Sequence, residues 1–318
     1  MNGRAENVTV ASASADRPGT LGKCRELPPP QWWRVGGYAA YLGVLALLFI
    51  QPLTRLLMYA VHNDLNSHIL LVPFISAWLI YVQRGPRLAA YCSSMPATLI
   101  ACAIGIAITV GCIRWCEIFN VNDELALVAL AFVIFVAAGG FLFLGAKWMA
   151  AHAFPIAFLI FMLPLPSRAV SWLETVSMLR SADAANLFFR GAGVPFVRHG
   201  TVFELPRIVI RVATECSGIH SSWVLFITSL LASHLFLKTW WRRLVLVAFV
   251  IPLGIVRNGF RILIIGWLCV HIGPNMIDSS IHHRGGPLFF ALSLIPLFLL
   301  LLWLRRREQG SRRWSGEA

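Results

Sequence analysis

The sequence predicts an all-α polytopic membrane protein of about eight transmembrane helices, with a small amphipathic helix and a β-hairpin on its outer face. Two observations predict this class. Hydrophobic residues make up 58% of the 318 and charged residues only 13%, and the mean hydropathy of +0.72 lies well above that of water-soluble domains. Apolar stretches of roughly 20 residues, long enough to cross about 30 Å of hydrocarbon, recur along the chain. A lipid bilayer is therefore the predicted solvent.

The spans follow from where these apolar stretches begin and end. Two of the eight are short for a full crossing, and the seventh is longer than one crossing requires. The predicted spans are residues 35–52, 65–83, 97–113, 124–145, 148–165, 219–237, 244–272 and 287–304.

The orientation follows from the basic residues. The net charge is +13, but Lys and Arg fall in short clusters between apolar runs, which is typical of topology signals and not of a nucleic-acid surface. With the N-terminus inside, the short outer loops hold only Arg55, Arg114 and Arg284. Both termini are therefore predicted to be cytoplasmic, and no nucleic-acid partner is expected.

The domain organisation is one membrane domain between two tails. Residues 1–34 are predicted to form a disordered cytoplasmic tail, because they are polar and lack the apolar core of a cleavable signal peptide. The membrane domain covers residues 35–305 and includes an extracytoplasmic insert at 166–218. Residues 306–318 form a basic cytoplasmic tail.

The insert at 166–218 is the only sizeable non-spanning segment. Val170, Leu173, Val176 and Leu179, followed by Ala184, Leu187 and Phe188, recur at helical spacing and predict an amphipathic helix along the membrane interface with its polar face outward. Glycines at 191 and 193 end this helix. Residues 194–212 then predict short strands around a turn at His199-Gly200.

Cys216 differs from the other six cysteines in its position. It lies where the insert enters the sixth span, at the outer edge of the membrane, where a thiol can lose its proton and meet a substrate. The N–H groups of Ser217 and Gly218, at a helix start, could stabilise a thiolate or an oxyanion. On composition alone, a cysteine that merely begins a helix is the more common explanation.

Two further polar clusters interrupt apolar surroundings. Arg257 and Arg261 share one face of the seventh span, where each cation needs a polar cavity or a partner. A structural pairing with Glu124 or Glu215 is the alternative. His282 and His283 lie in the outer loop before the last span, and a histidine beside a thiol can act as base and then as acid.

Taken alone, a His-His pair in a loop more often reflects surface decoration or adventitious metal binding. The charge-based topology, however, puts Cys216 and His282 on the same face and Arg261 on a helix ending there.

At these three clusters the sequence resembles the exosortase/archaeosortase family of polytopic membrane cysteine enzymes. That family carries a Cys-Ser-Gly motif opening one span, an Asn-x-x-Arg motif in a following span and a His-x-x-Gly-Gly motif before the last. The corresponding residues here are Cys216-Ser217-Gly218, Asn258-Gly259-Phe260-Arg261 and His282-His283-Arg284-Gly285-Gly286. Residues 67–73 and 193–200 resemble the family more loosely, and the similarity covers roughly residues 35–305.

The resemblance implies residue roles. Cys216 would be the nucleophile, Arg261 the cation that orients substrate or stabilises the oxyanion, and His282 the acid and base. Arg257 and His283 are alternatives within their pairs. Ser217, Gly218 and Asn258 would support the nucleophile and the oxyanion.

The resemblance also implies the substrate and the location. The enzyme would be a cysteine protease or transpeptidase in the bacterial inner membrane, with its active site on the periplasmic face. Its substrates would be membrane-anchored proteins whose C-terminal sorting tail carries a Pro-Glu-Pro motif, a spanning helix and a basic cluster, in connection with exopolysaccharide production. Neither a cofactor nor a metal is expected, and the oligomeric state is left open.

Two other functions compete with this interpretation. A non-catalytic component of polysaccharide export could use the arginines to bind an anionic lipid-linked sugar, and Cys216→Ala would then leave function largely intact. A metal or redox protein could use Cys112, Cys116, His282 and His283, although nothing else in the sequence completes a ligand set.

Overall fold

The computed structural model describes residues 31–83, 94–115, 119–206, 208–212, 218–273 and 286–315. Long apolar helices form most of this fold, and two 3-10 segments, Asp64–Leu70 and Leu159–Met162, connect some of them. The α-helices are α1 Gln31–Leu48, α2 Ile50–His62, α3 Val72–Val82, α4 Met95–Arg114, α5 Val121–Phe143, α6 Ala146–Ala151, α7 Ala153–Phe158, α8 Ser167–Gly191, α9 Ile219–Phe236, α10 Trp240–His271 and α11 Gly286–Ser315.

The predicted membrane class is confirmed. Among the residues that the structure describes, six helical segments are long and apolar enough to cross a bilayer, and two bent pairs of helices raise the possible number to eight. The six are Leu65–Val82, Met95–Arg114, Val121–Phe143, Ile219–Phe236, Trp240–His271 and Gly286–Gly310. Each corresponds to one predicted span.

The first and fifth predicted spans are not single straight helices. In the first, α1 and α2 meet at Phe49 with a bend of 75°. Pro52 has no N–H to bond the carbonyl of Leu48, so the helical ladder is interrupted there. The fifth span is replaced by α6, α7 and a 3-10 segment. The segment Ala153–Met162 then bends by 87° into α8.

The predicted amphipathic helix is present as α8, but its buried face differs from the predicted one. Ala182, Ala185 and Phe189 are fully buried on the side that packs against α10. Val176 and Leu179, assigned to the apolar face from the sequence, are among the exposed residues. The small alanines allow close helix packing, which leaves the larger apolar residues outside and suits contact with lipid.

The predicted hairpin is present and is extended by a third strand. Strands β1 Val197–His199, β2 Val202–Leu205 and β3 Ile208–Arg211 form an antiparallel sheet in the order β1-β2-β3. Gly200, with φ +63°, supplies the left-handed residue in the first turn. Phe203 pairs with Ile210 across the sheet, and both are buried against α8.

Helix α10 is longer than a bilayer crossing, and its two halves have different neighbours. Its 32 residues extend for about 48 Å, against about 30 Å of hydrocarbon. The first half lies antiparallel to α9. The second half packs on α8 and the sheet: a Cβ at Gly259 would lie 2.7 Å from the Cβ of Ala184, and one at Gly266 would lie 2.6 Å from the ring of Phe189. Beyond Arg261, the apolar residues Ile262, Ile265 and Cys269 are therefore buried against protein, whereas Trp267 stays exposed.

The other end of the bundle is tied together by polar contacts. The buried carboxylate of Glu308 in α11 accepts hydrogen bonds from the backbone N–H groups of Lys238 (3.1 Å) and Thr239 (2.7 Å), which immediately precede α10. Nearby in sequence, α11 continues as a helix to Ser315, beyond the position 306 at which the basic tail was predicted to start. Glu308 thus sets the register between α10 and α11.

Candidate active site

The structure describes four of the eight predicted site residues. Gly218 begins α9, and Arg257, Asn258 and Arg261 lie on α10. The other four, Cys216, Ser217, His282 and His283, lie outside the described residues. The start of α9 and the middle of α10 are brought together, and the following contacts define that junction.

Arg257 connects the two helices. Its side chain is buried, and its Nη2 donates hydrogen bonds to the carbonyl oxygen of Gly218 (3.1 Å) and to the hydroxyl of Ser222 (3.0 Å). Its Nη1 is buried as well and has no hydrogen-bond partner among the described residues. A donor is therefore left over at the start of α9.

A structural ion pair does not account for Arg257 within the described part of the chain. The salt bridges found there do not include this residue, so the pairing with Glu124, one of the sequence-based alternatives, is not formed. Glu215, the other suggested partner, lies outside the described residues. A guanidinium that is buried without a carboxylate costs free energy, which is typical of a functional site.

Gly218 must be a glycine for two reasons. Its φ of +67° lies in the left-handed region, and a Cβ there would lie 3.3 Å from both Nη2 of Arg257 and Oδ1 of Asn258. Its carbonyl oxygen also accepts from the N–H of Ser222 (3.0 Å) and the hydroxyl of Ser221 (3.2 Å). Of the three donors to this carbonyl, Arg257 belongs to α10 and the two serines to α9, so the carbonyl of Gly218 links the start of α9 to α10.

Asn258 and Arg261 complete the α10 side of the junction. Asn258 is buried, with 2% of its surface exposed. Arg261 lies one turn beyond Arg257 on the same helix face and is half-buried. Two guanidinium groups and the N-terminal dipole of α9 make this a cationic, partly dehydrated junction, where a thiolate or an oxyanion would be stabilised.

The start of α11 lies at a similar depth. Glu308 of α11 contacts Thr239, which precedes α10. Counted from this contact, Gly286 lies as many residues back along α11 as Arg261 lies forward along α10. Because α10 and α11 pack against each other and both rise about 1.5 Å per residue, α11 begins at about the level of Arg261. The segment that carries His282 and His283 leads directly into this helix start.

The sequence did not identify the role of His68 and Trp223. The indole N–H of Trp223 in α9 donates to Nε2 of His68 (3.2 Å), and Nδ1 of His68 lies 3.1 Å from the carbonyl oxygen of Leu65. Because an indole nitrogen only donates, Nε2 must accept, and the proton is assigned to Nδ1. This bond anchors α9 one residue after Ser222. In the sequence, the sign of this role was a histidine within an apolar span.

Most of the side chains that were considered as metal ligands lie outside the described residues. Cys112 is buried near the end of α4, whereas Cys116, His282 and His283 belong to segments that are not described. Within the described ranges, no group of three or more His, Cys, Asp or Glu residues could hold a metal ion.

Comparison with known proteins identifies the family. The family model described as transmembrane exosortase matches residues 59–299. No curated protein and no solved structure matches the chain. The match extends from α2 into α11 and includes both sides of the α9–α10 junction. The chain therefore belongs to the transmembrane exosortase family.

Proposed function

We propose that this protein is a cysteine protease or transpeptidase of the bacterial inner membrane that cleaves the C-terminal sorting tail of exported proteins. The tail consists of a Pro-Glu-Pro motif, a spanning helix and a basic cluster, and the activity serves surface sorting linked to exopolysaccharide. The observation that carries the proposal is the buried guanidinium of Arg257, bonded to the carbonyl of Gly218 two residues after Cys216.

The proposed reaction is an acyl transfer. The Cys216 thiolate attacks the scissile carbonyl carbon, and the resulting oxyanion is stabilised by guanidinium and backbone N–H donors. When the C–N bond breaks, a histidine, His282 or His283, gives a proton to the leaving amine, so that a thioester remains. Water or an amine acceptor then attacks the thioester and releases the thiolate. A cationic junction favours both the thiolate and the oxyanion.

The two arginines have different proposed roles. Arg257 uses Nη2 to bond Gly218 and Ser222, so it fixes the position of Gly218, two residues after the proposed nucleophile. Arg261 lies one turn closer to the sheet, where it is suited to orient the substrate or to bind the oxyanion. The level at which α11 begins supports the participation of a histidine from the segment before it.

The orientation rests on the distribution of charge. Both termini are proposed to be cytoplasmic, which puts the start of α9 on the periplasmic face. A sorting tail anchored by its own spanning helix and basic cluster would present its scissile segment on that face.

The test is to co-express the protein with a tailed substrate and to compare tail removal in wild type, Cys216→Ala and Cys216→Ser. We expect both substitutions to abolish processing, because neither alanine nor an unactivated hydroxyl replaces the thiolate. Cys102→Ala is the matched control, since Cys102 is a partly buried free cysteine of α4. Immunoblots of membranes check that all variants accumulate.

Tail removal by Cys216→Ala at the wild-type rate would contradict the proposal. It would favour the non-catalytic export component, for which nothing covalent happens at this residue.

A further inference from the structure

A cavity of about 810 Å³ opens between the end of α8 and the first strand of the sheet. Arg190 and Asn186 of α8 face Arg198 of β1 across it, and Pro195 and Phe196 add apolar surface. Two guanidinium groups beside apolar side chains suit an anionic ligand with apolar flanks.

The two arginines of this cavity differ in their hydrogen bonds and ion pairs. Arg198 is held in place, because its Nη2 donates to Oδ1 of Asp183 (2.8 Å) and its Nε donates to the carbonyl of Gly200 (2.7 Å). Arg190 is exposed and forms no ion pair or hydrogen bond with any described residue. One cation is therefore preorganised, and the other is available to a ligand.

The cavity is bordered by an open strand edge. Within the described ranges, β1 pairs with β2 and has no strand on its other side, and Val197 and Arg198 of β1 line the cavity. An extended polypeptide can add to such an edge through its backbone groups. This feature favours a peptide over a lipid phosphate.

The cavity lies close to the candidate active site along α10. Gly259 contacts Ala184 and Gly266 contacts Phe189, so α8 and α10 run in the same direction. Arg190 follows Phe189 and is therefore about one and a half turns beyond Arg261, or about 9 Å along the axis. About three extended residues cover this distance.

We propose that this cavity binds an acidic segment of the substrate polypeptide, a few residues from the scissile bond, with its carboxylate between Arg190 and Arg198. This inference rests on the proposed function and adds a recognition site to it. The Glu of a Pro-Glu-Pro motif has the required chemistry: one carboxylate flanked by rigid apolar residues.

The test measures peptide binding without cleavage. The full chain carrying Cys216→Ala is reconstituted in nanodiscs of neutral lipid, and a fluorescein-labelled peptide with Glu between two prolines is titrated by anisotropy. We expect Arg190→Gln to weaken binding about tenfold, the effect of losing one charge-assisted hydrogen bond. Arg180→Gln is the matched control: Arg180 also lies on α8 and near Asp183 (3.8 Å), but outside the cavity.

A charge exchange makes the test specific. Arg190→Glu should bind the Glu peptide weakly and should regain affinity for a peptide with Lys at that position. Equal effects of Arg190→Gln and Arg180→Gln would overturn the inference, and so would a wild-type affinity that is the same for Glu and Gln peptides. Binding that appears only with phosphatidylglycerol in the nanodisc, whatever the peptide, would assign the cavity to lipid and would also overturn it.

The outcome is separable from that of the proposed function. Binding is measured in a variant that lacks the thiol, whereas tail removal is measured in cells. If binding is charge-specific and Cys216→Ala still removes tails, the enzymatic proposal is contradicted and the peptide site is retained.

Discussion

The Nη2 atom of Arg257 lies 3.1 Å from the carbonyl oxygen of Gly218. This contact joins the residue immediately before the Asn-x-x-Arg motif of α10 to the glycine that closes the Cys-Ser-Gly motif, although 39 residues separate them in the chain. The same nitrogen also donates to Ser222, and the buried Nη1 beside it is a second donor group that a lysine ammonium does not have. The replacement of Arg257 by lysine is therefore not conservative.

We expect Arg257→Lys to reduce the rate of tail processing at least tenfold while the protein still accumulates in membranes. A lysine ammonium keeps the charge but cannot reproduce both hydrogen bonds from the same position, and a charge-assisted bond is worth about 1.5–3 kcal/mol. Pulse-chase measurement of tail removal provides the rate. Arg243→Lys is the control on the same helix, where Nε bonds the carbonyl of Leu237 far from the junction. Equal rates for the two variants would contradict the positioning role of Arg257.

Gly218→Ala should abolish or strongly reduce processing. An alanine at φ +67° is strained by about 1–2 kcal/mol, and its Cβ would lie 3.3 Å from both Arg257 and Asn258. Gly193→Ala is the matched control, since Gly193 has φ +66° but nothing within 4 Å of the position that a Cβ would take. Both variants should lose similar thermal stability from backbone strain, while only Gly218→Ala should lose activity. If both process tails equally well, the close approach at Gly218 does not matter for function.

Gly259→Ala should destabilise the protein, whereas Gly43→Ala should not. A Cβ at Gly259 would lie 2.7 Å from the Cβ of Ala184 and 3.1 Å from the backbone N of Ala185, so α8 and α10 would have to separate. Such overpacking costs about 1–3 kcal/mol. Gly43 lies in α1 with open space around it, and alanine there gains up to about 1 kcal/mol of helix propensity. Thermal unfolding in detergent distinguishes them; a rise in midpoint for Gly259→Ala would disprove the tight packing.

Hydropathy predicted most of the spanning helices, because the bilayer selects for long apolar runs. Hydropathy is insensitive, however, to backbone hydrogen bonding. The break at Phe49 depends on Pro52, and the division of the fifth span at His152 coincides with Pro155, which cannot bond the carbonyl of Ala151. The buried face of α8 was missed because small residues such as Ala182 pack more closely than the larger residues that dominate a hydrophobic pattern.

The candidate site could be predicted as a set of motifs but not as a geometry. The sequence places apolar residues on both sides of Arg257 and Arg261, which suggests two cations deep within the membrane. The structure shows that Ile262 and Ile265 beyond them are buried where α10 packs on α8 and the sheet, so the arginines lie level with the start of α9. The hydropathy of an apolar residue does not show whether lipid or protein buries it.

The length of α10 makes lipid composition relevant to the proposed catalysis. One continuous helix both crosses the bundle beside α9 and carries the contacts with α8 and the sheet. A spanning helix responds to hydrophobic mismatch by tilting, at a cost of fractions of a kcal/mol per Å. Any such tilt would move the proposed peptide-binding cavity and the Gly218 junction together, so acyl-chain length alone would change how both are presented to a proposed substrate tail that spans the same bilayer.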